Sequence, residues 1–234
     1  LELETLEPVL ARVARHESLA EKAYLALRQA LMRGRLMPGQ RLVHRTIAGE
    51  LGVSPTPVRE ALLRLASEGA VALDARGMAY VPRLSPQRYD EILQLRIDLE
   101  GRSAARAAVL ARPEEIERLA ALHAAVAHSK AAGDIEAVLS ANERFHFALH
   151  RLAQLPVTER LIESLWMQCG PTLRLRYLTP KSEPAGQHPH LAAINALRQR
   201  DPLAARAALS RDLRANGAVI LRQIRAEAAR GVKV

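Results

Sequence analysis

Apolar residues in the first third of the chain recur at helical spacing in three short stretches, each closed by a residue that stops a helix. Leu19 to Leu31 carries an amphipathic pattern, and RGRLMPGQRL then turns the chain at Pro38 and Gly39. Ile47, Ala48 and Leu51 mark a second, shorter helix that runs into Gly52. After Val53 a third helix opens at Ser54, whose side-chain oxygen is expected to cap it. Pro55 follows at an early position, where a missing N–H leaves no helical bond unmade. On this third helix Val58, Ala61, Leu62 and Leu65 share one face and are predicted to enter the core, leaving Thr56 and Arg59 near the exposed N-terminal end. Two helices joined across Gly52 and Val53 make a helix-turn-helix, and the exposed start of the second is the part a DNA groove meets.

Beyond Gly69, AVALDARGMAYVPRL reads as two short extended runs, Ala70 to Leu73 and Met78 to Val81, joined by a turn at Asp74 to Gly77. A hairpin in that place is a wing. From Ser85 and Pro86 onward the pattern changes to a sustained 3.6-residue period, interrupted at Pro113, Gly133, Pro156, the TPKSEPAG stretch and Pro202. Helices are predicted at about 86–111, 113–131, 134–153, 156–178, 187–200 and 202–229. The fold class is mostly α. An N-terminal arm (1–17) leads into a winged helix-turn-helix with a small β-hairpin wing (18–83), then an all-α antiparallel helical bundle (86–229) with room for a ligand, and a short tail (230–234).

Composition changes this picture little. A length of 234 residues suits two domains, and 49% hydrophobic with only 3% aromatic residues favours helices packed through small and aliphatic side chains. The formal charge of +9 suits a polyanionic partner, although an Arg-rich composition gives the same balance without one. Its location says more. Between Glu21 and Glu50 the chain carries Lys22, Arg28, Arg33, Arg35, Arg41 and Arg45 and no acid, which predicts a phosphate-ready surface on the first two helices. The single cysteine, Cys169, excludes an intramolecular disulfide framework, fits a reducing cytoplasm and reads as a small buried apolar residue. No apolar run approaches the roughly 18 residues of a membrane span, and the start lacks a secretory signal pattern. The expectation is a soluble cytoplasmic protein with no membrane partner.

The helix at 19–31, the Pro-Gly turn, the run LGVSPTPVREAL and the Glu-Gly-plus-hairpin ending together resemble the GntR family of winged-helix transcription regulators, across residues 18 to 83 without a gap. RIDLEGRSAARAA (96–108), NERFHFALH (142–150) and HLAAINALRQRDPLAARAALSRDL (190–213) resemble the FCD effector domain of its FadR subfamily, over residues 86 to about 225. The resemblance implies a ligand-responsive regulator. It would be a repressor that binds a near-palindromic operator as a homodimer and is released by a small organic acid. Carried over by position, the DNA-contacting residues are Arg45, Ser54, Thr56, Arg59 and Gly77. The position after Ser54, often Arg in the family, is Pro55 here, so one contact is missing.

The family's divalent metal is held by an Asp, a His four residues on, and two further His. These positions fall on Asn142, His146, His190 and Asp212. Asn replaces the Asp and Asp replaces the last His, so the set still supplies one carboxylate, while an Asn carbonyl is a poor zinc ligand. His150, one turn beyond His146, is a substitute ligand, and His123, His128 and His188 read as loop or surface residues. Arg96 and Glu100, one turn apart, are either a surface ion pair or part of the effector site, with Arg96 turned inward as a fork for a carboxylate. Arg174 and Arg176 are further candidates whose plainer role is a solvated helix face. Two rival readings are a metal-dependent enzyme using His146, His190 and Asp212, and an architectural DNA-binding protein without effector. No separate base, nucleophile or Gly-rich phosphate loop accompanies the first of these, so the expectation is that the chain is not an enzyme.

Overall fold

The computed structural model describes residues 18–177 and 187–230. The predicted arm, the TPKSEPAG stretch and residues 231–234 of the tail lie outside the described residues. Helix α1 (Leu19–Met32) starts where the Ser18 hydroxyl accepts the Glu21 N–H at 3.1 Å, and it buries Tyr24, Leu27 and Leu31. Helix α2 (His44–Leu51) ends at Gly52 in the left-handed conformation, φ +65°. Helix α3 (Pro55–Ser67) follows, with Val58, Ala61, Leu62 and Leu65 all buried as their spacing predicts. One expectation fails here. Ser54 sits at the N-cap with extended backbone, yet its side chain makes no capping bond. The usual donors are the N–H groups at the second and third helical positions, and the third is Pro57, which has none.

The wing is a two-stranded antiparallel ribbon, β1 (Ala72–Leu73) and β2 (Ala79–Tyr80), with Ala72 opposite Tyr80 and Leu73 opposite Ala79. It is shorter than the predicted runs because Ala70 and Val71 donate to Leu65 O at the end of α3, Met78 is taken into the Asp74 turn, and Val81 donates to Gln40 O. Asp74 accepts from the N–H groups of Arg76 and Met78, both at 2.9 Å, and Gly77 adopts φ +75°. The Pro-Gly turn is tied to the wing: Gly39, at φ +83°, donates to Val81 O at 2.7 Å, and Leu42 donates to Ala79 O at 2.8 Å.

The second half is helical throughout. Helix α4 (Pro86–Leu110) packs most extensively on the last helix, α9 (Pro202–Ala229), because Gly101 lies close against Arg206 and Ser210 of α9 and Gly217 of α9 lies close against Leu93. Between them come α5 (Pro113–Ala131), α6 (Ile135–Leu152), α7 (Pro156–Cys169) and α8 (Pro189–Arg198). The single helix predicted over 156–178 is broken. After Cys169 the chain tightens into a 3₁₀ segment, Gly170–Tyr177. Pro171 has no N–H for the carbonyl four residues back, and its ring collides with that carbonyl. Gly170 also lies against the end of α1, where a Cβ would run into Leu31 O.

The two halves share a core. One buried cluster combines residues of α1 to α3 and the wing with Phe147, Ile162, Trp166 and Met167 of the bundle. Ion pairs reinforce that seam: Arg28 with Glu163, Arg33 with Glu143 at 3.2 Å, and Arg35 with Glu136 at 2.5 Å. The acid-free stretch is therefore only partly a phosphate surface. Three of its cations face acids on α6 and α7, which the local run of sequence does not reveal. Among the described residues no helix is long and apolar enough to cross a membrane.

Candidate functional site

Arg45, Ser54, Thr56, Arg59 and Gly77 are all exposed on the face formed by α2, the start of α3 and the wing. A groove of about 460 Å³ runs between α3 and the wing, with His44, Arg59, Arg76 and Gly77 on its walls. Arg45, Arg59 and Arg76 make no ion pair among the described residues, whereas Arg64, further along α3, is held by Glu21 and Glu68. Unpaired guanidinium groups on a convex helix and an adjoining hairpin suit phosphates and base edges. Arg76 was missed by sequence reasoning, although it is the only cation within the Asp74–Gly77 turn.

Inside the bundle, α4, α6, α8 and α9 each direct a polar side chain to one point. Glu100, His146, His150, His190 and Asp212 are all buried. His146 Nδ1 meets Glu100 Oε2 at 3.1 Å, His150 Nε2 meets the same oxygen at 3.0 Å, and Arg96 Nε donates to Glu100 Oε1 at 2.7 Å. On its other side His146 Nε2 faces Asp212 Oδ2 at 3.3 Å, and His190 Nε2 faces that oxygen at 3.8 Å. Neither Nε2 is aimed well enough to make a hydrogen bond, so two buried imidazole nitrogens converge on a carboxylate without a partner. His146, His190 and Asp212 offer ligand atoms within 4.8 Å of one another. That donor set of two imidazoles and a carboxylate fits a zinc-class divalent ion.

The electrostatics follow from burial opposed by close partners. Burial alone would raise Glu100, but the Arg96 guanidinium and the two imidazoles hold it well below the ordinary carboxylate value. Asp212 is held low against burial by His146 and His190. His146, against burial, is pushed up to about 9 by the carboxylates of Asp212 and Glu100 close on either side of it. Burial lowers His190 and His150 instead. Protonated, His146 is an imidazolium between two carboxylates, and an ion at its Nε2 would have to take the place of that proton.

Asp212 also lines a small cavity of about 50 Å³, together with Asn142, Arg96, Arg176, Tyr177 and Asn216, against apolar walls that include Leu93 and Trp166. Asn142 thus stands beside the cluster, half-buried. Arg176 is not a solvated helix residue, since its Nε donates to Asn216 Oδ1 at 2.5 Å. Arg96 and Glu100 are not a surface ion pair either, being 4% and 0% exposed. Arg96 also donates to Cys169 Sγ at 3.3 Å and stacks 4.2 Å over Trp166. Glu100 lies outside the cavity lining, with both oxygens turned to Arg96, His146 and His150, so it supports the site from behind rather than facing a ligand. His150 is likewise committed to Glu100. His123 and His188, expected at the surface, instead cluster with His190, and burial and repulsion from His190 push His188 down to about 4. His128 is exposed as expected.

Residues 19–81 match the gntR family of bacterial regulatory proteins, and residues 91–215 match the FCD domain. The chain is 32% identical to the HTH-type transcriptional regulator McbR of Escherichia coli (strain K12), over 89% of this chain and 96% of that protein. The solved structure of E. coli McbR/YncC superposes with a TM-score of 0.82 at 30% identity, covering 88% of this chain and 98% of that one. A putative GntR regulator from Rhodococcus sp. RHA1 shares the fold, with a TM-score of 0.66 at 23% identity over 86% of this chain and 97% of that one.

Proposed function

The chain belongs to the GntR family and is a DNA-binding transcriptional regulator with an FCD effector domain, not an enzyme, and from that premise we propose a FadR-type repressor that a small organic acid releases from its operator. Arg45, Ser54, Thr56, Arg59 and Gly77 meet the DNA, and two chains pair so that protein and near-palindromic operator share a two-fold axis. Sedimentation of the full chain at micromolar concentration tests the pairing. A dimer is expected, and a monomer on operator DNA removes it.

The effector reading is carried by one cavity wall, where Arg96, Arg176 and Asn142 stand beside Asp212 and the two partnerless imidazole nitrogens behind it. A divalent ion held by His146, His190 and Asp212, with Asn142 as a weak or absent fourth ligand, would supply an open position for a carboxylate oxygen. Glu100 keeps the proton on His146 Nδ1 and leaves Nε2 facing inward, the arrangement that orients a ligating imidazole. Arg96 neutralises Glu100 and turns its remaining edge toward the incoming anion, and the leucines and Trp166 exclude water from the rest of the ligand.

Metal content of the purified full chain tests this. The parent is expected to hold about one zinc-class ion per chain, and His146→Gln, His190→Gln and Asp212→Asn to lose it. Full occupancy in the two His variants overturns the site. Because His146 keeps its proton up to about 9 without metal, loading near neutral pH should release about one proton, and apparent affinity should rise with pH until that value. Calorimetric titration in two buffers of different ionisation heat reads the proton directly. Trp166 is the only tryptophan and stands 5.1 Å from His146, so its fluorescence reports occupancy and the binding of added organic acids.

A further inference from the structure

A second histidine cluster lies outside the effector cavity, and neither His123 nor His188 has a part in the function proposed above. His123 comes from α5, whereas His188 and His190 flank Pro189 at the start of α8. The ring centroids are 4.9 Å apart for His123 and His188, 5.5 Å for His123 and His190, and 4.7 Å for His188 and His190. One nitrogen from each lies within 4.8 Å of the others. His190 is 1% exposed with neither ring nitrogen hydrogen-bonded, and the buried Nδ1 of His123 is also without a partner. A buried polar atom left in that state costs roughly 1–3 kcal/mol, and an apolar side chain would fill the same space without the penalty. Packing alone does not account for three imidazoles here.

We propose that His123, His188 and His190 form a second, outer site for a zinc-class transition-metal ion. Three nitrogen donors and no oxygen favour Zn²⁺, Ni²⁺ or Cu²⁺ over Mg²⁺ and Ca²⁺, and three protein ligands leave a fourth position for water. His123 and His188 are half-buried, so the cluster has the route to solvent that His146 lacks. Nε2 of His190 faces Asp212, and the two nitrogens of an imidazole diverge, which leaves Nδ1 for the outer site. His188 Nδ1 already accepts the His190 backbone N–H at 3.1 Å, capping α8. Coordination competes with that cap, and with both ions bound His190 gives up its ring N–H proton to solvent and bridges them as an imidazolate, so the outer site fills after the inner one. Once filled, it pins the first turn of α8 to α5.

The test uses the full chain carrying His146→Gln and Asp212→Asn, which removes inner donors and spares the outer three. Titrated with Cu²⁺ alone, it is expected to bind one ion with nitrogen hyperfine structure in its electron paramagnetic resonance spectrum. Adding His123→Ala and His188→Ala should abolish that signal with helicity unchanged by circular dichroism. No binding by the inner-disabled chain, or binding that survives the two added substitutions, overturns the outer site. The converse chain, with only His123→Ala and His188→Ala, should keep its inner ion, so failure of the inner site shows separately as loss there. On the unmutated protein, saturating Zn²⁺ should protect His123 and His188 from diethylpyrocarbonate, as read by peptide mass spectrometry. Equal modification with and without zinc also overturns the proposal.

Discussion

Replacing Arg59 with alanine is expected to abolish sequence-specific DNA binding while the fold persists. Arg59 lies one turn into α3, exposed and without an ion pair, and lines the groove that leads to the wing. An arginine so placed can grip a guanine edge with both ends of its fork, an interaction that discriminates by about 1–3 kcal/mol. The proposed dimer loses it twice, roughly 2–6 kcal/mol in all, so affinity for a selected operator should fall at least about 30-fold at fixed salt. Fluorescence anisotropy with the operator and a scrambled duplex measures both halves of the claim. Arg76→Ala should behave differently. Removing a wing-tip cation weakens binding to both duplexes alike and lowers the slope of log affinity against log salt by about one for each phosphate no longer neutralised. If Arg59→Ala bound the operator as tightly as the parent, α3 would not be the reading helix.

The helix-turn-helix is legible in the sequence because its signals are local. Gly52 in the left-handed conformation, the Ser54-Pro55 start and the four buried positions of α3 are each decided within a few residues. The expected Ser54 cap is weakened for an equally local reason, since Pro57 removes one of the two N–H donors open to it. The bundle's helices are legible from their period, and its polar core only in part. Asn142 to His146 is one helical turn and so predictable, but the meeting of Glu100 with His146 and His150 joins α4 to α6 across 46 and 50 residues of sequence. Nothing in the spacing of Arg96 and Glu100 distinguishes a buried pair from an exposed one. Burial decides it, and burial is set by Trp166 and Cys169 from another helix. The pairing of Arg28, Arg33 and Arg35 with distant glutamates is hidden in the same way, as is the drawing of His123 and His188 toward His190.

That seam between the halves makes the second strong prediction. Trp166 touches both ends of the proposed signal. Its ring packs edge-on against His146 at 5.1 Å and under Arg96 at 4.2 Å, while its Nε1–H donates to Met32 O at 3.0 Å. Met32 closes α1, where carbonyls have no helical partner, so this bond ties the proposed metal and effector site to the first helix of the DNA-binding half. Gly170, four residues further on, lets the two backbones meet beneath it. Trp166→Phe keeps an aromatic ring against His146 but leaves the buried Met32 carbonyl without its donor, a cost of roughly 1–3 kcal/mol. Gly170→Ala forces a methyl into Leu31 O, and because the obstacle is backbone, α1 and the 3₁₀ segment must separate, at about 1–3 kcal/mol or more. Both variants should melt earlier than the parent and still bind zinc, since no proposed ligand is altered. What they should lose is coupling. In the parent, operator affinity is expected to differ between zinc-loaded and chelated protein by the roughly 5- to 150-fold typical of linked sites, about 1–3 kcal/mol, and in Trp166→Phe that ratio should approach one. Because a ligand shifts an equilibrium only through interactions that differ between its two states, a Trp166→Phe protein that keeps the parent ratio would place the differential interaction elsewhere, in the Arg28, Arg33 and Arg35 ion pairs along the same seam.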